Sequence, residues 1–246
     1  MYKPVFSQVD LFLVQNPDTE DILRREGYTN VRTVGDSRID RAFQVVATHR
    51  EYPELAQAVG NKPVLVVGST WPEDERVWIP AWKQLEDKPY LIVAPHEPSP
   101  QRMAELQASI GYPLDRWSER QQGLHSPHGV LVDTIGDLAY LYRYATVAYI
   151  GGAFGKGLHN IIEPVAFRTP VVFGPKTNRF PEAADAAHAG FGLSIQDETT
   201  AGHALVYFLN TPSLREKIDR YLSLNRSASD RIYEHIMQLV GLSNHR

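Results

Sequence analysis

Short runs of β-branched and aliphatic residues alternate with helix-period patterns along most of this chain, and that alternation restricts the folds open to it. Strands are expected over residues 10–14, 31–34, 64–68, 90–94, 130–132, 147–150, 171–173 and 192–195. Helical patterns lie between them, at 19–26, 38–48, 73–85, 99–110, 137–144 and 160–167. Strands that alternate with helices form a parallel sheet covered on both faces, because each crossover must return along a helix. In such a sheet ligands bind beyond the carboxyl ends of the strands, so the residues just after each strand are the functional candidates. The stretch 212–240 reads as helix with a break near 225–229, and its apolar positions Ile232, Ile236, Leu239 and Val240 fall on one face.

Composition narrows the function. The chain has 246 residues, 43% of them hydrophobic, enough for one large domain or a domain plus a fragment. Its formal charge is −4 with both signs interspersed, which suggests neither a nucleic-acid groove nor a polybasic membrane patch. With no cysteine, disulfides, thiolate metal sites and a cysteine nucleophile are excluded together. No apolar run approaches the roughly 20 residues of a membrane span, so the chain as it stands reads as soluble. Residues 2–26 look like the last αβ unit of something that precedes them, and Gly35-Asp36-Ser37-Arg38 is a polar junction. The expectation is that the chain begins inside a larger protein, with residues 1–38 the end of one domain and its linker and 39–246 a second domain.

Four turns carry the chemistry. The richest follows 147–150: Gly151-Gly152-Ala153-Phe154-Gly155-Lys156-Gly157, then Leu158-His159-Asn160-Ile161-Ile162-Glu163-Pro164. Glycines permit close backbone approach, Lys156 adds a positive charge, and Asn160 and Glu163 lie three apart at a helix start. A phosphorylated, hydroxyl-rich ligand suits that arrangement, while a plain tight βα turn is the simpler alternative. Gly68-Ser69-Thr70-Trp71-Pro72-Glu73-Asp74-Glu75 closes a strand and opens a helix with Ser or Thr as the expected N-cap. Capping alone explains it; the functional alternative aims the Ser69 and Thr70 groups at a ligand. Pro95-His96 follows a strand, where His96 could donate to a phosphate or a sugar hydroxyl. Asp133-Thr134-Ile135-Gly136-Asp137-Leu138 leaves the next strand, and Gly136 lets the backbone N–H and C=O groups of Ile135 to Asp137 approach a planar base.

Taken in order, Gly68-Ser69-Thr70, Ala94-Pro95-His96, Asp133 to Leu138, Gly151-Gly152, His159 to Pro164 and Val172-Phe173-Gly174-Pro175 resemble the C-terminal domain of the 3-deoxy-D-manno-octulosonic acid (Kdo) transferases. The resemblance runs over nearly the whole chain. It implies a Rossmann-like parallel sheet forming the C-terminal half of a GT-B glycosyltransferase. It further implies an enzyme that takes Kdo from CMP-Kdo and attaches it to lipid A precursor at the cytoplasmic face of the inner membrane. The family's catalytic carboxylate and acceptor site belong to its N-terminal domain, so no catalytic residue is expected here, and membrane contact is expected only through that domain.

Carried onto matching positions, the donor-binding set is Ser69, Thr70, Pro95, His96, Ile135, Gly136, Asp137, Gly151, Gly152, Lys156, Asn160, Ile161, Ile162 and Glu163, with Glu163 the expected partner of ribose hydroxyls. This chain departs from the family's pattern in three places. Ala94-Pro95-His96 stands where many members have Pro-Arg-His, Ile135-Gly136-Asp137 where they have Met-Gly-Glu, and Asn160-Ile161-Ile162-Glu163 where they have Asn-Pro-Leu-Glu. The first substitution removes an expected phosphate-binding arginine and makes Lys156 and the glycine-loop N–H groups the candidates. No Asp-x-Asp occurs, and His125 and His128 lack a third ligand, so neither metal nor cofactor is expected. The alternatives are the donor domain of another GT-B enzyme that uses a UDP-sugar, or a non-catalytic interaction domain.

Overall fold

The computed structural model describes residues 3–211 and 213–241. The chain forms two compact units: one joins the N-terminal segment through Gln44 to the C-terminal stretch from Leu222, and the other is Val45–Tyr221.

The smaller unit contains α1 (Lys3–Phe6), β1 (Phe12–Val14), α2 (Pro17–Arg25), β2 (Val31–Thr33), most of α3 (Ser37–Ala47) and the last helix, Ala228–Leu239. β1 and β2 pair in parallel, Phe12 opposite Val31. Asn16 starts α2 by accepting the N–H of Thr19 at 2.9 Å. The two ends of the chain meet through Asp40, whose carboxylate accepts the N–H groups of Ser227 and Ser229 at 2.7 Å each. Arg231 adds a bond from Nε to the Val34 carbonyl. The expected break before the last helix is present, at Ser227 with φ +63°. Val5, Phe6, Tyr233, Ile236, Leu239 and Val240 are exposed, whereas Ile232 is half-buried. Tyr2 and Pro212, which begin two of the expected segments, lie outside the described residues.

The larger unit runs α4 (Pro53–Val59), β3 (Val64–Thr70), α5 (Pro72–Gln84), β4 (Tyr90–Pro95), α6 (Pro100–Ile110), β5 (Asp115–Arg116), β6 (Gly129–Leu131) and α7 (Leu138–Leu141). It continues with β7 (Val147–Ile150), α8 (Ile162–Ala166), β8 (Val171–Phe173), α9 (Pro181–Ala189), β9 (Gly192–Ser194), α10 (Glu198–Leu209) and the start of α11 (Leu214–Asn225). Its seven strands pair in parallel in the order β5-β6-β4-β3-β7-β8-β9. Leu65 and Val67 pack with Trp78 and Trp82 of α5, Leu106 of α6 and Phe208 of α10. Val64 and Val66 point to the opposite face by strand alternation and are equally buried, so helices cover both faces as expected. Among the described residues no helix is long and apolar enough to cross a membrane.

Three differences from the sequence expectations have local causes. β5 is only two residues, both charged, and owes its existence to pairing with β6. α10 reads ETTAGHALVYFL, whose threonines, glycine and β-branched valine blur the helical period. The helix expected over 160–167 is a single turn, Ile162–Ala166, because Asn160 and Ile161 remain in the approach to it.

Candidate functional site at the carboxyl edge

The strand order reverses between β3 and β7: from β3 the chain moves outward to β4 and β6, then returns to lay β7 on the other side of β3. The crevice at such a switch point is where a doubly wound sheet binds its ligands. The turns after β3 and β7 lie at that point, and they approach so closely that a Cβ on Gly151 would lie 2.3 Å from the Ser69 carbonyl oxygen. Ser69 itself has φ +53°, at an irregularity where the β3–β4 register shifts between Gly68 and Thr70. A non-glycine residue in that region carries strain of about 1 kcal/mol or more, a feature that clusters at ligand sites.

From this turn the half-buried Trp71 side chain meets the glycine loop after β7. Thr70 is buried, and its hydroxyl accepts the indole N–H of Trp78 at 3.0 Å. Trp71, rather than Ser69 or Thr70, is the N-cap of α5. Its own indole N–H donates to Nε2 of His159 at 3.0 Å. The His96 ring stacks on both partners, 4.6 Å from Trp71 and 4.5 Å from His159. The Lys156 ammonium lies 3.8 Å from the centre of the Trp71 ring, a cation–π distance. Burial, with the neighbouring His96 as a second cause, holds the His159 imidazole below its usual pKa. Three turns far apart in sequence therefore converge on one aromatic and cationic cluster. Trp71 and His159 lie within the sequence motifs but outside the expected donor-binding set; each immediately adjoins a member of that set.

The glycine loop is more self-contained than its sequence suggests. Gly155 and Gly157 both donate to the Gly152 carbonyl, at 3.0 and 2.9 Å, and His159 donates its N–H to Gly151. Gly152 gives its own N–H to the Asp74 carboxylate at 2.8 Å. Its φ of +96° and a Cβ position 2.1 Å from the Gly157 carbonyl oxygen leave room only for glycine. These N–H groups are committed within the protein, and α8 is too short for a strong dipole. Positive charge at the loop comes from Lys156 and from Lys176, which donates to the Gly155 carbonyl at 3.4 Å and lies outside the expected donor-binding set. The Arg102 guanidinium, at the same edge, is spent on Glu75 and Glu105.

Asn160 and Glu163 meet as a pair, the Asn160 amide donating to Glu163 at 3.2 Å while its oxygen accepts the Ile162 N–H. Ile161 and Ile162 between them are buried, so only their backbone belongs to the edge. Pro95 ends β4 and is buried, whereas His96 is exposed.

The fourth turn divides sharply. Ile135 is 91% exposed and Gly136 has open space around it, but Asp137 is buried. The Asp137 carboxylate accepts the hydroxyls of Thr134 (2.6 Å) and Tyr52 (3.2 Å) and the indole N–H of Trp117 (3.1 Å), and pairs with Arg50. Burial alone would raise its pKa; these donors outweigh burial and hold it below the usual carboxylate value. Its side chain anchors the turn that presents Ile135 and Gly136.

No family model matches the chain. A 3-deoxy-D-manno-octulosonic acid transferase from Bordetella pertussis is 32% identical over 227 residues, which is 85% of this chain and 50% of that protein. The chain spans about half the length of the curated relatives it matches. Among solved structures, the C-terminal CMP-Kdo binding domain of WaaA from Acinetobacter baumannii superposes with a TM-score of 0.55 at 24% identity, covering 77% of this chain and 96% of that domain. A putative UDP-N-acetylglucosamine 2-epimerase from Listeria monocytogenes gives 0.67 at 14% identity over 96% of this chain and 61% of that one, so the fold is shared across sugar-nucleotide chemistries. By sequence, then, the chain is a relative of the 3-deoxy-D-manno-octulosonic acid transferases, and it carries the fold of their C-terminal domain.

Proposed function

We propose that this chain is the donor-binding half of an inverting glycosyltransferase that takes Kdo from CMP-Kdo and delivers it to lipid A precursor. The observation that carries this is the convergence of four loops on the carboxyl edge of one parallel sheet, in a chain whose named relatives are Kdo transferases. On this reading the Ile135-Gly136 turn offers backbone groups to the cytosine edge, and the Asn160–Glu163 pair meets the ribose hydroxyls. Lys156 faces the phosphate on which negative charge develops as CMP leaves. Fixed positive charge at that point stabilises the transition state more than the ground state, because the leaving phosphate gains charge along the reaction. The general base and the acceptor site belong to the remaining half of the protein, which also supplies contact with the inner membrane. The boundary between the two domains falls near residue 38.

Selective stabilisation by nucleotide tests the proposal. CMP at ~100 times its dissociation constant should stabilise the larger unit by ~2.7 kcal/mol through mass action, with UMP and AMP at equal concentration doing less. Equal shifts for all three would remove the cytidine assignment, and a larger shift with UMP would favour a UDP-sugar enzyme. Mixing the chain with a separately produced N-terminal half should restore Kdo transfer, whereas transfer by this chain alone would overturn the placement of the base.

A further inference from the structure

The Asp74 carboxylate is fully buried at the third residue of α5, yet it bonds groups from two separate segments. One oxygen accepts the N–H of Trp71 at 2.9 Å and the N–H of Gly152 at 2.8 Å. The other accepts the Tyr149 hydroxyl at 3.1 Å. Burial pushes the pKa of this carboxyl up, and the N–H and hydroxyl donors oppose it. A buried charge is tolerated only where hydrogen bonds replace its hydration, so the carboxylate and the backbone around it hold each other in one arrangement. The Gly152 N–H, which would otherwise suit a ligand anion, is taken by an anion that the chain itself supplies.

We infer that Asp74 is a positioning residue for the nucleotide site: it locks the turn after β3 to the glycine loop after β7, so that Trp71, His159 and Lys156 present one surface. The inference rests on the reading of this edge as a nucleotide site. Without the lock, the Trp71 indole loses its alignment with His159, and the loop carrying Lys156 is released from β3. What the lock requires is acceptor geometry more than charge. An amide in place of the carboxylate can turn its oxygen to the N–H groups of Trp71 and Gly152 and its NH2 to the Tyr149 oxygen.

The test uses the whole chain, with CMP affinity measured by calorimetry and amide exchange by NMR. D74N should bind CMP within about threefold of the unaltered protein, and Y149F, which keeps both N–H bonds, within about twofold. D74A should lose about tenfold or more in CMP affinity, and the amides of Gly152 and Trp71 should exchange far faster than those of the sheet. A folded D74A that binds CMP as well as the unaltered chain overturns the inference, as does D74N weakened as severely as D74A. If D74A fails to fold, exchange in the unaltered chain decides: a slowly exchanging Gly152 amide supports the lock, and one exchanging like an open loop overturns it. Absence of CMP binding by the unaltered chain would instead refute the nucleotide reading, and the exchange measurement would still judge the lock.

Discussion

The indole N–H of Trp71 reaches Nε2 of His159 across 3.0 Å, joining residues 88 positions apart in sequence. Because Nε2 accepts that bond, the imidazole is neutral with its proton on Nδ1, in keeping with its depressed pKa. Protonation would convert the acceptor into a second donor and break the contact.

Stability should therefore fall on acidification through this pair. The folded state holds the His159 proton less tightly than the unfolded chain, whose histidines titrate near the ordinary value of 6.5. Its contribution is complete above that value and is lost as pH falls through the lower, folded value. Thermal midpoints recorded between pH 7.5 and pH 5 should show a decline that is shallower in H159F, which keeps a ring for stacking but cannot titrate. Identical profiles would show that His159 does not couple to folding.

Glu163 is the residue on which nucleotide binding should depend most directly. Glu163→Gln should weaken CMP binding by about 1 to 3 kcal/mol, the scale of hydrogen bonds to a charged group. Because Glu163 also accepts the Asn160 amide, the melting temperature must be followed in parallel. Unchanged affinity in a variant of unchanged stability would exclude it from the site.

Asp137 should matter for stability before it matters for binding. Removing its carboxylate in Asp137→Ala leaves the Tyr52 and Thr134 hydroxyls and the Trp117 indole without their acceptor, at a cost of about 3 kcal/mol. Its folded pKa lies below the ordinary 3.8, so its contribution is present above that value and lost as pH falls through the folded one. Urea denaturation at pH 7 should show the loss, and the difference between variant and parent should shrink toward pH 3. A difference of the same size at both pH values would contradict the assignment.

Gly68 and Tyr142 should couple strongly. A Cβ on Gly68 would lie 2.0 Å from the Tyr142 hydroxyl oxygen, and Tyr142 is fully buried and cannot swing away. Gly68→Ala should cost about 1 to 3 kcal/mol through overpacking. Adding Tyr142→Phe removes the clashing oxygen but leaves the ring carbon behind it at 3.1 Å, so relief should be partial. Denaturation of both single variants and the double variant measures this coupling, and strict additivity would refute the contact.

Much of this molecule was legible in local chemistry. β-branched runs, proline at helix starts and glycine after strands act over a few residues, through sterics and backbone hydrogen bonding that hold in any context. They located β7 and β8 to the residue and placed the functional candidates in the turns that follow the strands. What they could not supply was which strands lie side by side, since pairing depends on closing long loops and on burial shared by distant segments. Only the tertiary structure set β3 against β7 and brought the turn at Ser69 against Gly151. It spent the glycine-loop N–H groups on Asp74 and on the loop itself, and it joined Trp71 to His159. Asp137 shows the same division: its sequence neighbours mark a helix start, but its role as an anchor comes from Tyr52 and Trp117, 85 and 20 residues away. A carboxylate becomes an anchor or a ligand contact according to the donors that packing brings to it, and no short stretch of sequence carries that information.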